Sequence, residues 1–363
     1  MNRALYIVKR IILAIPVVLF GLTLTFIIMY RGPIDPVLSI LGQDANPEAA
    51  RQLRIALGIA RPDGTRIPLW EQYGLMLRDI ITLQFGQSWI VQRGVSVTTV
   101  IAGRLAPTLW LGFWSVMVAL IIGIPVGLYA GLKANSWGDY LASGGGIIWR
   151  AMPNFWLAVM IAGSLSAGGI LSWYRGFWLD TDVIGTPDAV NNLFQMTPIF
   201  DGIPIVNAII IPVPEVQNML VAFKWILPAA LVLGSASMGN EIRIGRTAVL
   251  ESINAKYVET ARAKGCSSKR IIIKHVGRNA VVPLLPVIMG EFYLLIGGSV
   301  LVEQIFSING LGNLFFRAVL GPDIPVVMAL VTIFILIQVS FNIIQDILYT
   351  YIDPRITLEE ASR

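Results

Sequence analysis

The chain has 363 residues, 55% of them hydrophobic and only 13% charged, with a formal net charge of +5. Soluble domains carry about 25% charged residues; here the charges gather in clusters between long uncharged stretches, which excludes an ordinary soluble domain. One cysteine, Cys266, and one histidine, His275, exclude a disulfide framework and a His-rich metal cluster, and lysines and arginines set beside apolar spans argue for membrane orientation rather than nucleic acid.

A membrane helix needs about 20 mostly apolar residues. The first such run is 11–30, preceded by a basic segment, 1–10, with Arg3, Lys9 and Arg10. It exceeds the apolar core of about 7–15 residues found in a cleaved leader, and Arg31-Gly-Pro follows it, so a retained first span is expected. Residues 31–104 are too many for a simple connector. A helix is expected there from Pro47 to Leu57, ended by Gly58, and Leu69–Leu83 sets Leu69, Tyr73, Leu77 and Ile80 at helical spacing.

The second span is 105–132, between Arg104 and Lys133, and the third is 141–171, interrupted by Arg150 and Pro153. Residues 172–224 are rich in Pro, Gly and Asp and read as a folded or gating loop; the apolar stretch Ile203–Pro212 within them is too short to cross. The fourth span is 225–240 and the fifth 280–302, with Glu291 inside it. A turn at 303–323 leads to the sixth span, 324–348, and to the tail 349–363. The expected fold class is all-α: a polytopic membrane protein with six transmembrane helices and a large external region after the first.

Charge gives the orientation, because short basic loops stay in the cytoplasm. Residues 241–278 carry Arg243, Arg246, Lys256, Arg262, Lys264, Lys269, Arg270, Lys274 and Arg278 against Glu241, Glu251 and Glu259. Residues 172–224 carry Asp180, Asp182, Asp188, Asp201 and Glu215 against Arg175 and Lys224. Both termini and 241–278 are therefore expected inside the cell membrane, and 31–104 and 172–224 outside it. In the second span Gly123, Gly127 and Gly131 recur every fourth residue around Pro125. Such a face lets helices approach closely within one subunit, or makes a hinge beside a pore.

The basic inner loop is the most informative segment. Val249, Ile253, Tyr257 and Ala261 fall at four-residue intervals, which predicts one helix from Ala248 to Lys264. Gly265 stands where that helix would end, with Arg262 and Lys264 in its last turn, and Ser267 or Ser268 is placed to cap a second helix through Ile271–Ile273. A helix, a sharp turn and a helix form a unit stiff enough to transmit force to a partner.

Glu259-Thr260-Ala261, three residues and then Gly265 resemble the Glu-Ala-Ala-x-x-x-Gly loop of ABC importer permeases. The surrounding segment from Tyr257 to Ile288 is similar to the B-type permease of the dipeptide and oligopeptide importers. Further matches are the first span followed by Asp35-Pro-Val, "FGQSW" from Phe85, "RLAPTLWL" from Arg104, "PNFWL" from Pro153 and "DPRI" from Asp353. The stretch 172–224 is not covered and looks like an insertion. Thr260 stands in place of an alanine, Gly277-Arg278 replace a Leu-Pro pair, and Asn309 stands where proline is usual in the outer turn with Glu303, Phe306, Gly310 and Gly312.

The resemblance implies the ABC type I importer permease fold and a subunit that pairs with a second homologous permease. It also implies two ATPase subunits inside and an extracytoplasmic substrate-binding protein that delivers di- or oligopeptides. The ATPase-coupling loop would comprise Glu259, Thr260, Ala261, Ala263, Lys264 and Gly265. The chain has no G-x-x-x-x-G-K-[ST] phosphate loop, so it is expected to be no enzyme itself. ATP and Mg would bind the partner ATPases, with no cofactor or metal in this chain.

Charges at membrane depth cost at least about 2.5–3.5 kcal/mol each, so Glu291 and Arg150 are expected to face protein or water. They either line or gate the translocation path or form a structural buried ion pair, or else Arg150 lies nearer the interface than these span limits place it. Gln338 and Asn342, with Gln345 and Asp346, stripe the sixth span and serve either helix–helix bonding or solute contact. Trp149, Trp156, Trp173 and Trp178 read as interfacial anchors. Two other function classes stay open on the residues alone: an ATP-independent channel or secondary transporter, and a membrane-embedded enzyme.

Overall fold

The computed structural model describes residues 3–32, 35–177, 179, 186–198, 210–291 and 300–352. Trp178, Asp180, Asp182, Asp201, residues 203–209, the 292–299 part of the fifth span and Asp353–Ile356 lie outside them, as does the side chain of Asp346. In chain order the helices are α1 (Arg3–Arg31), α2 (Pro36–Leu41), α3 (Pro47–Ala56), α4 (Leu69–Ile81), α5 (Val97–Val118), α6 (Ile124–Leu132), α7 (Trp137–Ala151) and α8 (Asn154–Leu165). After them come α9 (Val216–Ile253), α10 (Lys256–Ala263), α11 (Ser268–Arg270), α12 (Arg278–Ala280), α13 (Leu285–Glu291), α14 (Val300–Ile305), α15 (Leu311–Leu320) and α16 (Ile324–Ile352). One antiparallel ribbon departs from the helical plan, β1 (Phe194–Pro198) on β2 (Ile210–Pro214), in register from Phe194 opposite Pro214 to Pro198 opposite Ile210.

Among the described residues four stretches are long and apolar enough to cross a bilayer: Val8–Arg31, Val97–Leu132, Val216–Ile253 and Ile324–Gln345. The second is continuous only by adaptation. Pro125 has no N–H to donate, and the helix widens into a π turn at Ala119–Gly123 just before it. The stretch expected as a single third span is two helices. Met152 is extended (φ −79°, ψ 127°) because the Pro153 ring disfavours a helical residue before it, and α8 starts afresh at Asn154. The 38 residues of α9 extend about 57 Å at 1.5 Å per residue, well beyond a hydrocarbon core of about 30 Å.

The chain divides into two compact units, Met1–Leu105 with Leu311–Arg363, and Ala106–Gly310. In the first, α1 lies on α16, with Gly21 against the Ile335 side chain. Its core holds Leu22, Phe26, Val97, Val100, Leu311, Leu314 and Val326–Leu330, and Leu69, Tyr73, Leu77 and Ile80 of α4 pack on it as their spacing predicts. Asp35 caps α2 and pairs with Arg54 of α3 at 3.1 Å. Helix α3 ends in a Schellman turn at Gly58 (φ +71°), where Gly58 N–H bonds Ile55 O and Ile59 N–H bonds Arg54 O.

In the second unit α9 is the central post. Gly127 and Gly131 of α6 meet its Ile242 backbone and Val249 side chain, Gly234 meets the Ser115 carbonyl of α5, and Gly239 meets Gly146 of α7. The glycine face of the second span thus serves close packing within the subunit. The core at one end contains Leu111, Leu157, Leu165, Trp225, Ile226, Phe306 and Ile308.

Candidate functional site

The inner loop folds as two short helices on the end of α9. The single helix expected over Ala248–Lys264 is broken: α9 stops at Ile253 and α10 starts at Lys256. Asn254 turns its side chain back onto the Leu250 carbonyl, and Ala255 N–H bonds Ser252 O, so the chain bends there. The buried face of α10 is accordingly Val258 and Ala261, while Tyr257 is exposed. At its far end Cys266 N–H bonds Ala261 O and Gly265 N–H bonds Arg262 O, with Gly265 at φ +75°. These two bonds are a Schellman turn, and they satisfy carbonyls the helix leaves unpaired. Ser267 then takes the N-cap position of α11, through its backbone rather than its hydroxyl.

This elbow is packed, not dangling. Val258, Ala261, Ile271, Val276 and Ala280 form one apolar cluster with Ala248 and Val249 of α9, with Leu128, Leu132 and Cys266 against it. On its outer side Glu259, Thr260, Ala263, Lys264 and Gly265 are exposed, as are Tyr257, Ile272 and Ile273. That surface mixes charged with apolar side chains.

The post carrying the elbow is tied to α7 by an ion pair. Arg246 donates from Nε and Nη2 to Asp139 Oδ1 and Oδ2 at 2.6 and 2.8 Å. Asp139 also accepts from Asn135 N–H and the Ser143 hydroxyl, and its side chain is only 1% exposed. The hydrogen bonds from Arg246, with those from Asn135 and Ser143, hold its carboxyl well below the ordinary value.

Glu291, at the end of α13, is buried and accepts from the Ser237 hydroxyl at 2.8 Å. Ser237 stands one helical turn before Glu241 on α9, so this bond brings the Glu291 carboxyl to the same face of α9 as the buried Glu241. Arg150 instead is exposed on α7 and makes no ion pair among the described residues. Gln338 and Asn342 are exposed on α16, in the other unit.

Several buried polar anchors gave no signal in sequence because their partners lie far along the chain. Asp323 is fully buried, and its carboxylate accepts from Ser88 Oγ (2.5 Å) and from the N–H groups of Trp89, Ile90 and Val91 (3.1, 3.0 and 2.9 Å). Glu303 accepts from Thr108 Oγ1 at 3.0 Å, and a Cβ on Gly310 would lie 2.5 Å from that oxygen. Asn309, where the resemblance expects proline, uses the N–H that proline lacks to bond Thr186 of the 172–224 stretch at 2.7 Å. Lys224 is fully buried, donating to Arg175 O at 2.6 Å beside the Tyr174 ring, and burial pushes the Tyr174 hydroxyl up to about 12.

Comparison with known proteins places these features in context. A family model described as "Binding-protein-dependent transport system inner membrane component" matches residues 123–358, and a second, for the N-terminal part of such components, matches residues 3–112. The chain is 32% identical over 355 residues to the dipeptide transport system permease protein DppB of Alkalihalophilus pseudofirmus, covering 97% of this chain and 98% of that one. It is 33% identical to the oligopeptide transport system permease protein AppB of Bacillus subtilis (97% and 99% covered) and 30% identical to DppB of Escherichia coli (97% and 98% covered). Among solved structures, a chain of the MetNI methionine ABC transporter in an inward-facing conformation aligns with a TM-score of 0.48 at 19% identity, over 70% of this chain and 97% of that chain.

Proposed function

The chain belongs to the family of binding-protein-dependent transport system inner membrane components, and we propose that within an ABC importer it forms half of a translocation path for di- or oligopeptides. It is a multi-pass membrane permease. In our reading six spans cross the membrane with both termini inside. A second homologous permease completes the path, two ATPase subunits bind the inner face, and an extracytoplasmic protein delivers the peptide. ATP and Mg are bound by the ATPases, and this chain contributes no cofactor and no catalytic group.

The observation that carries the reading is the elbow. Glu259, Thr260, Ala263, Lys264 and Gly265 sit on the exposed side of a helix pair whose other side is packed onto α9. Nucleotide-driven motion of a partner seated there would move α9 as a lever, because the Schellman turn and the shared apolar cluster hold the elbow on α9, and the Arg246–Asp139 pair carries the motion on to α7. Glu291, Arg150, Gln338 and Asn342 remain the candidate path residues of this reading. The test is the ATPase rate of the reconstituted complex, with binding protein, against a panel of dipeptides, longer peptides and free amino acids. Stimulation by peptides alone supports the assignment; stimulation by none of them, or solute flux through this chain without ATPases, overturns it.

A further inference from the structure

Two acidic side chains are buried on neighbouring helices of the second unit, and among the described residues neither makes an ion pair. Glu241 of α9 is 0% exposed and Glu291 of α13 is 8% exposed. Among the described residues no N–H or O–H group reaches either oxygen of Glu241. Ser237, one helical turn before Glu241, holds the Glu291 carboxyl on the same face of α9, and on the other side a Cβ on Gly123 would collide with Glu241 Oε2. Among the described residues the one hydroxyl bonded at the pair is that of Ser237, donated to Glu291 Oε2.

Ionised carboxylates accept hydrogen bonds and cannot donate them. Two of them in contact, desolvated and without a donor between them, repel; the contact becomes attractive when one carries a proton. The charged groups on the packed elements do not relieve this. Arg150 on α7 and Arg278 on α12 are exposed, Asp139 is taken by Arg246, and among the described residues none of them pairs with either glutamate. Lys274 and His275 precede α12 in the turn Ile271–Gly277, and among the described residues neither pairs with Glu241 or Glu291. Tyr293 lies outside the described residues. Two carboxyls and one hydroxyl are also too few oxygens for a calcium-like cation, which takes about 6–8, and the described residues hold no group of three metal-ligating side chains.

We propose that Glu241 and Glu291 bind a single proton between them, forming a carboxylic acid–carboxylate latch that joins the two helices flanking the cytoplasmic elbow. The elbow leaves α9 beyond Glu241 and returns through α12 to α13, where Glu291 sits, so moving it relative to α9 strains this contact. When the latch opens to water from the inner side, the acid ionises, its proton passes to water and two carboxylates remain; closing takes one proton back. The proton-binding part stands on the geometry alone, whereas the link to elbow movement rests on the function proposed above.

The experiment is infrared spectroscopy of the purified complex, following the carbonyl stretch of a protonated, buried carboxylic acid across a pH series in normal and heavy water. The wild type is expected to show such a band at neutral pH. It should be lost at high pH and in both Glu241→Gln and Glu291→Gln, because the glutamine amide donates the hydrogen bond in the proton's place. A band that is absent from the wild type at neutral pH, or unchanged in both variants, overturns the proposal. In parallel, peptide-stimulated ATPase should fall as pH rises in the wild type and lose that dependence in Glu241→Gln. A variant band lost with an unchanged ATPase profile keeps the shared proton and overturns only its coupling to the elbow.

Discussion

Replacing Gly265 isolates the stiffness of the elbow from its contacts. Its φ of +75° lies in the left-handed region, and no atom lies within 4 Å of the place where a Cβ would stand. Any effect of a substitution there is conformational, not steric. A side chain in that region costs about 1–2 kcal/mol. Asparagine tolerates it best, alanine less well, and a β-branched residue worst. Each of the two bonds closing the turn, Cys266 N–H to Ala261 O and Gly265 N–H to Arg262 O, contributes about 0.5–1.5 kcal/mol, so the turn cannot lose its shape without further cost. A change of 1–2 kcal/mol shifts a local equilibrium by about 5–30-fold. The series Gly265→Asn, Gly265→Ala, Gly265→Val should therefore lower peptide-stimulated ATPase and uptake progressively, with valine worst and assembly with the ATPases intact. The assay is the ratio of stimulated to basal ATPase in proteoliposomes, with subunit stoichiometry checked on a gel. Equal coupling in the glycine and valine proteins would refute a rigid elbow.

Arg246→Ala removes one partner of a buried carboxylate. Breaking a fully buried pair costs about 3–5 kcal/mol, and because 30% of the Arg246 side chain meets solvent, about 2 kcal/mol is expected, read as a lower Tm of the purified complex. The sign with pH follows from Asp139, whose folded value lies below its ordinary 3.8. The pair's contribution is whole above that ordinary value and is lost as pH falls through the folded one, so wild type and variant should converge only in acid. Asp323→Ala strands the Trp89, Ile90 and Val91 N–H groups, at about 1–3 kcal/mol each if unsatisfied, and should open the 85–96 segment to limited proteolysis. Gly127→Val places a side chain 2.8 Å from the Ile242 Cα, whereas Gly163→Ala meets nothing within 4 Å. The first should destabilise the complex by about 1–3 kcal/mol and the second should leave its Tm unchanged.

Sequence alone exposed the features that depend on near neighbours. Four of the apolar runs, the α4 face, the Gly58 and Gly265 turns and the glycine face of the second span are local patterns, and the described residues reproduce them. The helix break at Asn254 escaped, because a four-residue apolar period continues across it and only a side chain folding onto Leu250 O interrupts the helix. The division of 141–171 into two helices was signalled by Pro153, but the extended Met152 was not read from it. Asp323 with Ser88, Arg246 with Asp139 and Glu303 with Thr108 escaped for a different reason. Their separations of 235, 107 and 195 residues leave no spacing to detect. Glu241 was counted as one charge of the inner loop, and only the fold sets it against Glu291.

The central claim is tested most directly by cross-linking from the elbow. On a Cys266→Ser background, Ala263→Cys places one thiol on the exposed side of α10. In membranes containing the co-expressed ATPases, a short thiol cross-linker should join this chain to an ATPase subunit carrying a surface cysteine, in a yield that changes when ATP is bound. A thiol at Ala263→Cys that reacts with impermeant reagent from the outer face, or that never cross-links to an ATPase in a complex that hydrolyses ATP, would contradict it.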